Sequence, residues 1–548
     1  MHQTKFIVVT GGVLSGLGKG TATASIGRLI RGNRKIVTVK CDGYLNVDPG
    51  TMNPIEHGEV FVLHDGGEVD MDFGHYERFL DINCKFGWNL TSGKIFNSVI
   101  QRERKGDFLG KTIQIFPHVV NEVKAWWKRI IDEEKPDVMM IEIGGTVGDI
   151  ENSWYIWAAQ QLRKIVGPEN IFYIHLTYVP FLDNVGELKA KPAQRDIALL
   201  REKGIFPDAV ICRAKTAIPR KIKDKLALLC DMEPEQFISG RDIDNIYEIP
   251  ILFKQEGMLK LIQDKFKFDD AEGLGIWETL VNNLRTPKCE ATIAICGKYT
   301  ELRDSYASVI EALTHAGAHI AAKVHLRWIE TTDIEEGRLT AAAALAGADG
   351  VLVPGGFGGR GAEGKISVIQ FARENKIPYL GICYGLQLAV IEFARNVCRL
   401  PDANTTEVNP ATQHPVIDIL PEQREVYLKG GTMRLGASKN DIKPDTLAAG
   451  LYNTSSCWER HRHRYEVNPE YHAHLAAAGM TISATSQNGR IAEFIELSDH
   501  PFFFASQAHN ELTSRLERPN PAFAGFVRAC CKLPPVTNEA LAERGLAP

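Results

Sequence analysis

Short apolar runs, each followed by a glycine-rich turn and then by a stretch with a helical hydrophobic period, recur along the whole chain. That alternation predicts α/β architecture with largely parallel sheets, because strands covered by helices on both faces read as unbroken apolar runs. Phe6 to Thr10, Ile36 to Lys40, Val138 to Ile143, Ile171 to Leu176 and Ala209 to Arg213 are the expected strands of a first sheet. A second series runs through Ala291 to Cys296, Lys323 to Leu326, Gly350 to Val353, Tyr379 to Ile382 and Ile491 to Ile495. Between them, Phe268 to Glu290 carries acidic residues, glycines and Thr286-Pro287 but no β-type apolar run. We therefore expect domains at 1–268 and 291–548 with a linker at 269–290. The alanine-rich stretch from Ala341 to Ala348 reads as a helix face.

Composition narrows the class. A chain of 548 residues, 44% apolar and 24% charged, is an ordinary globular protein too long for one core. With 63 Lys and Arg against 68 Asp and Glu, the net charge of −5 gives no overall pull toward nucleic acid or anionic membrane. Anion binding has to come from local groups. No apolar run approaches the ~18 residues that span a bilayer, and no signal-peptide pattern precedes the first strand, so the cytoplasm is the expected location. The 11 cysteines are dispersed without a CxxC, which excludes a zinc ribbon and a secreted disulfide framework.

After the first strand, Gly11-Gly12-Val13-Leu14-Ser15-Gly16-Leu17-Gly18-Lys19-Gly20-Thr21 leads into a helical pattern with Ile26, Leu29 and Ile30 on one face. Strand, glycine loop and helix stand in the order of a phosphate cradle: backbone N–H groups converge on the anion, the helix dipole favours it, and Lys19 reaches the outer phosphates. The strict GxxxxGK[ST] spacing fails, and Gly20 stands where the metal-binding hydroxyl is usual, with Thr21 one place later. Magnesium would then need carboxylates from elsewhere. Asp70 and Asp72 sit before Gly74, and Glu142 ends an apolar strand where ligands of open parallel sheets bind. The plain alternatives are a glycine-rich turn with an exposed lysine, a helix cap at Asp72 and a solvated strand end at Glu142.

In Gly381-Ile382-Cys383-Tyr384-Gly385 a strand ends in GxCxG and a helical pattern starts at once. Small flanking residues permit the sharp turn that exposes a nucleophile at a helix N-terminus, where thiolate is favoured. A buried structural cysteine is the competing reading. Gln507-Ala508-His509-Asn510-Glu511 follows a late apolar strand and offers His509 as base with Glu511 to orient it. Pro354-Gly355-Gly356-Phe357-Gly358 offers unhindered N–H donors for an oxyanion. In Glu459-Arg460-His461-Arg462-His463-Arg464-Tyr465 the interleaved arginines oppose a metal cation. They suit a substrate carboxylate, with a charged solvated edge as the alternative.

These segments together resemble the CTP synthase family over essentially the whole chain. The matching motifs are GGVLSGLGKG from Gly11, NVDPGTMNP from Asn46, HGEVFV from His57, GHYERF from Gly74, IEIGGTVGDIE from Ile141, PGGFGGRG from Pro354, GGTMRLG from Gly430 and ERHRHRYEVN from Glu459. The resemblance implies an N-terminal P-loop amidoligase domain and a C-terminal class I glutamine amidotransferase domain. It also implies amination of UTP to CTP with ATP and glutamine, through a phosphorylated UTP and a glutamyl thioester on Cys383. Residue by residue, Gly16, Leu17, Gly18, Lys19, Gly20, Thr21, Lys40, Arg213, Arg241, Asp242 and Ile243 would bind ATP, with Asp72 and Glu142 on Mg2+. Ser15, Asp149, Ile150, Glu151, Lys189, Ala190, Lys191, Pro192, Ala193, Gln194 and Lys225 would line the pyrimidine nucleotide pocket. Cys383, His509 and Glu511 form the triad, while Gly356, Tyr384, Gly385, Leu386, Gln387, Glu407 and Arg464 would position glutamine. Family members are commonly homotetramers activated by GTP and inhibited by CTP. The rival readings are another phosphate-loop amidoligase fused to a glutaminase, and a silenced homologue with a filament or regulatory role.

The chain departs from the family pattern at several of these places. Gly16 replaces a serine of SSLGKG, Gly43 the proline of KxDPY, and Ala190, Ala193 and Arg195 two threonines and the histidine of KTKPTQH. In the glutaminase half CLGMQ becomes Cys383-Tyr384-Gly385-Leu386-Gln387, and QFHPE becomes Gln507-Ala508-His509-Asn510-Glu511. Two lost hydroxyls imply weaker nucleotide contacts, including CTP feedback, and the lost proline implies a looser turn between His509 and Glu511.

Overall fold

The computed structural model describes residues 4–534 apart from 13, 15, 53–57, 185, 269–272, 299–302 and 420–432, so Ser15 lies outside the described residues. Two compact units emerge, one from the residues up to Pro49 and from Asp72 to Glu278, the other from Gly50 to Met71 and from Thr279 onward. The change of unit falls inside a helix, Trp277–Arg285, where the sequence suggested a linker. Trp277, Leu280 and Val281 are buried, and the Trp277 indole donates to the Tyr247 carbonyl at 2.7 Å. Those apolar positions at i, i+3 and i+4 are a helical stripe that the surrounding glycines and acids obscure.

The first unit is built on seven parallel strands in the order Phe237–Arg241, Ala209–Ala214, Ile171–Tyr178, Lys5–Gly11, Val138–Ile143, Ile36–Asp42 and Asn89–Thr91. The five expected strands are all present; the two outermost, Phe237–Arg241 and Asn89–Thr91, were not foreseen. Lys5–Gly11 is central, and the helix Lys19–Ile30 leaves from its carboxyl end, which is where an open parallel sheet gathers its ligands. Register sets Lys40 directly opposite Glu142.

The second unit holds nine strands: Ala322–Glu330, Cys289–Gly297, Gly350–Val353, Tyr379–Ile382, Phe503–Ser506, Ile491–Glu496, Thr481–Ser486, Arg434–Ile442 and Ser456–His463, in that spatial order. The first five are parallel and the rest antiparallel. Ile491–Glu496, expected within the parallel series, runs against both neighbours. Only short turns separate it from Thr481–Ser486 and Phe503–Ser506, and a parallel crossover needs a dozen residues or more. The excursion Gly50–Met71 brings the hairpin Phe61–Val62/Glu68–Val69 to this unit. There Arg462 pairs with Glu68 at 2.8 Å and Arg460 donates to the Val62 carbonyl at 3.1 Å. Of the alanine-rich stretch, Ala341–Leu345 is helical. No helix among the described residues is long and apolar enough to cross a membrane.

Candidate active sites

In the first unit Gly16 and Gly18 carry φ of 78° and 81°, left-handed values that glycine adopts without strain, and Gly18 caps the helix that Lys19 begins. The Lys19 side chain folds over Gly11, where a Cβ would come within 2.8 Å of it, and its ammonium donates to the Gly145 carbonyl at 2.9 Å. Burial pulls that ammonium below its ordinary pKa, with Glu142 opposing.

Lys40 is the hub beside it. Its ammonium touches Asp72 and lies 3.5 Å from both Asp42 and Glu142. Burial works to raise the Asp72 carboxyl, but Lys40, His75 and Lys19 outweigh it and hold it below the usual range. Burial lifts Glu142 above its usual range against the pull of Lys40, and the Tyr76 hydroxyl donates to its other oxygen. Asp72 presses on Gly20: a Cβ there would lie 2.0 Å from Oδ1, so the carboxylate occupies the space where the usual motif has a side chain. Among the described residues no three His, Cys, Asp or Glu side chains gather as a metal cluster. Three carboxylates, Asp42, Asp72 and Glu142, nevertheless converge on one cation, here the Lys40 ammonium. Tyr76 and Asp42 were not picked out from the sequence, although Tyr76 stands inside a quoted motif.

Thr21 lines a cavity of about 220 Å³ together with Leu17, Gly18, Arg213, Arg241, Asp242 and Ile243. Seven of the expected ATP residues thus share one wall. Ile211, Ile246, Leu252 and Phe253 complete it with apolar surface, and Arg213 ties its rim by donating to Gly240 and Arg241 carbonyls and to Asp242 at 2.9 Å.

The expected pyrimidine residues divide. Asp149, Ile150 and Glu151 are exposed at a turn that Asp149 closes by accepting from Thr146, at 2.9 Å from the amide and 2.7 Å from the hydroxyl. Gly43 lies against this turn; a Cβ there would meet Glu151 at 2.9 Å. Lys191 and Lys225 are exposed, Lys189 pairs with Glu187, and Pro192 and Gln194 are half-buried in the first turn of the helix Lys191–Glu202. Ala190 and Ala193 are different. Both are buried in an apolar cluster with Leu188, Ile197, Val210 and Leu226, so their side chains pack inward and do not line an open pocket.

In the second unit Cys383 has φ 51° and ψ −100°, the strained turn of a nucleophile elbow between Tyr379–Ile382 and the helix Tyr384–Asn396. Gly381 and Gly385 let the backbone approach: a Cβ on Gly385 would lie 2.2 Å from the Val353 carbonyl oxygen. The parallel pairing of Ile382 with Ser506 brings the next strand's end alongside, and Gln507 Nε2 stands 3.7 Å from the Cys383 sulfur. His509 Nδ1 is 2.7 Å from Glu511 Oε1, and its ring lies over Gly355, where a Cβ would come within 2.7 Å. Burial would lower His509, yet the charges of Glu511 and Cys383 raise it well above its ordinary pKa.

Gln387 donates to the Tyr465 carbonyl at 2.8 Å, and Glu407 accepts from the Gly358 amide at 3.0 Å. Burial raises the Glu407 carboxyl while Lys298 and Arg464 oppose it, so a cation and an anion face the same space. Tyr384 donates to the Gly358 carbonyl at 2.8 Å. Leu386 is fully buried in the apolar core. The lost proline has a replacement: Asn510 Nδ2 donates to Tyr452 at 2.9 Å, tying down the turn expected to be loose. The arginine-histidine strand is no solvated edge either. Arg460, His461 and His463 are buried, and burial, then Arg434, hold both histidines well below their ordinary pKa.

Comparison with known proteins agrees with both halves. The family described as CTP synthase N-terminus matches residues 5–268, and glutamine amidotransferase class-I matches 301–529. A CTP synthase from Methanocaldococcus jannaschii is 51% identical over 96% of this chain and 99% of that protein. One from Carboxydothermus hydrogenoformans is 50% identical over 97% of this chain and 99% of its own length. The solved glutaminase domain of Trypanosoma brucei CTPS with bound acivicin is 37% identical, with a TM-score of 0.42, covering 45% of this chain and 96% of that one. With two sites of this chemistry and such identity over nearly its full length, the chain belongs to the CTP synthase family.

Proposed function

We propose that the chain makes CTP by ATP-dependent amination of UTP, using ammonia released from glutamine, with residues 1–268 as synthase and 291–548 as glutaminase. What carries the reading is one chain holding both a glycine loop whose Lys19 lies beside Lys40, Asp72 and Glu142, and a Cys383 elbow backed by His509 and Glu511.

The oxygen at C4 of uracil leaves poorly, so it is first phosphorylated, and an amine then displaces the phosphate. ATP would lie with its base in the cavity walled by Ile211, Ile243 and Phe253 and its phosphates on the Gly16–Thr21 loop. Lys19 and Lys40 neutralise the transferring phosphoryl. Asp72 and Glu142 would hold Mg2+, a hard cation suited to two carboxylates plus phosphate oxygens, which when bound offsets phosphate charge. For UTP, Lys189, Lys191, Lys225 and the N-terminal amides of the helix Lys191–Glu202 would take the triphosphate, with Asp149 to Glu151 nearer the nucleoside.

Glutamine would lie with its α-amino group toward Glu407 and its carboxylate toward Arg464. The Cys383 thiolate attacks the carboxamide carbon, forming the C–S bond as the carbonyl electrons move to oxygen, which the Gly356 loop stabilises. His509 gives its proton to the departing ammonia, then takes one from the water that cleaves the thioester, and Glu511 orients the ring throughout. The reading brings with it GTP activation, CTP feedback, a homotetramer and a cytoplasmic location. The test is CTP formation from UTP and ATP with glutamine or with ammonium. Cys383→Ala should abolish only the glutamine-dependent reaction, and Lys19→Ala should abolish both; equal loss of both in folded Cys383→Ala contradicts the two-site reading.

A further inference from the structure

Lys365 is the fourth residue of the helix Ala362–Glu374 and is 1% exposed. Among the described residues its ammonium has neither a hydrogen-bond acceptor nor a carboxylate at ion-pair distance. What it meets is the face of Tyr384, with the ring centroid 5.2 Å away, and the backbone of Gly356, where a Cβ would sit 3.6 Å from Nζ. Burying an unpaired ammonium is costly, and a methionine would fill the same space without that cost. A chain keeps such a group where negative charge arises beside it. The two residues it touches are the loop glycine and the residue following Cys383, the two sides of the carboxamide's place in the reading above.

We propose that Lys365 is a positioning residue of the glutaminase reaction, its ammonium supplying the positive potential that favours the oxyanion formed at the Gly356 loop when Cys383 attacks glutamine. The inference rests on the glutaminase reading. No bond to Lys365 forms or breaks, and it keeps its proton throughout; the charge it favours is the electron pair displaced onto the carbonyl oxygen as the C–S bond forms. The charged and titratable groups facing it are few. Lys298 and Cys296 come from the end of the strand Cys289–Gly297, Glu330 from the end of Ala322–Glu330, and Tyr384 from the next helix. Lys298 is itself held by the Phe357 carbonyl and ring, so it adds to the positive field. Burial, and after it Lys298, pull the Lys365 pKa down to about 8. The ammonium is thus present at neutral pH and lost as pH rises through that value.

The experiment compares full-length wild type, Lys365→Met and Lys365→Arg in glutamine hydrolysis at pH values on both sides of about 8, with ammonium-dependent CTP synthesis as the control for folding. Lys365→Met should lower kcat for glutamine on the order of tenfold, below the 10²–10³ of a direct oxyanion donor, and leave KM within about twofold. Wild type should decline as pH rises through about 8, and Lys365→Met should lose that decline. Lys365→Arg, which stays charged, should keep the rate and carry it to higher pH. The proposal is overturned if folded Lys365→Met hydrolyses glutamine at the wild-type rate, or if Lys365→Arg declines with pH as wild type does. The arginine profile decides alone where the methionine variant does not fold. Failure of the underlying reading looks different: wild type itself would hydrolyse no glutamine, or Cys383→Ala would hydrolyse it normally.

Discussion

Gly20→Ala separates a phosphate loop that needs glycine for shape from one that needs it for Asp72. Gly20 is within the helix Lys19–Ile30, where alanine is favoured over glycine by about 1 kcal/mol, so the backbone has no objection. The obstacle is the carboxylate, whose Oδ1 and Cγ would lie 2.0 and 2.6 Å from the new Cβ. To reach an ordinary 3.4 Å contact the oxygen must retreat by about 1.4 Å, and it cannot do so while it holds Lys40. Overpacking of this kind costs about 1–3 kcal/mol against that helical gain of about 1 kcal/mol, a net loss of about 0–2 kcal/mol that should leave the enzyme folded. Function should suffer far more. A displacement of about 1 Å at reacting groups can cost 10²-fold, so both glutamine- and ammonium-dependent CTP synthesis should fall on the order of 10²-fold. The assay measures both reactions beside glutamine hydrolysis, which the second unit performs and which should stay within about twofold, and records thermal unfolding. A Gly20→Ala enzyme with wild-type ammonium-dependent kcat would refute the reasoning, because Asp72 would then be free to move without loss.

Two further outcomes follow from the second unit. Tyr452→Phe removes the hydroxyl that accepts from Asn510 at 2.9 Å and donates to Glu459 at 2.7 Å, so it should cost about 1–3 kcal/mol of stability and slow glutamine hydrolysis severalfold while sparing ammonium-dependent synthesis. An unchanged melting temperature would show that the tie holds nothing. Glu511→Gln removes the carboxylate that raises His509, so the ring should lose its proton at lower pH than in wild type, and kcat for glutamine should fall roughly 10²-fold or more. NMR titration of the His509 imidazole reads the first effect directly, and an unmoved midpoint would assign the raised pKa to Cys383 instead.

The central parallel strands of both sheets were legible because they are covered on two faces and so contain little but apolar residues. Lys5–Gly11 and Val138–Ile143 are buried along almost their whole length, and the sequence has no other way to be read there. Arg434–Ile442 and Ser456–His463 escaped for the opposite reason: RLGASKNDI and SCWERHRH have neither an apolar run nor a clean alternation. Their burial depends on partners distant in sequence. Arg460 is covered by Phe61 and Val62 of an excursion nearly four hundred residues earlier, about which local periodicity is silent.

The sites divide along a similar line. Loops whose geometry is written in glycines could be read, since Gly18 reports a left-handed turn and Gly385 a carbonyl at close quarters wherever the rest of the chain goes. Groups whose role depends on what lies across the fold could not. Lys365 is one lysine among many until Gly356 and Tyr384 are seen against it, and Tyr76 is an aromatic on an apolar face until Glu142 meets it. Ala190 and Ala193 show the cost of arguing from a missing hydroxyl alone. Set against the family pattern they are lost contacts to nucleotide, but in the fold they fill an apolar cluster beneath the helix Lys191–Glu202. On the proposed reading, anion recognition in this segment falls to charge and backbone, through Lys189, Lys191 and the N-terminus of that helix, which the two substitutions leave untouched.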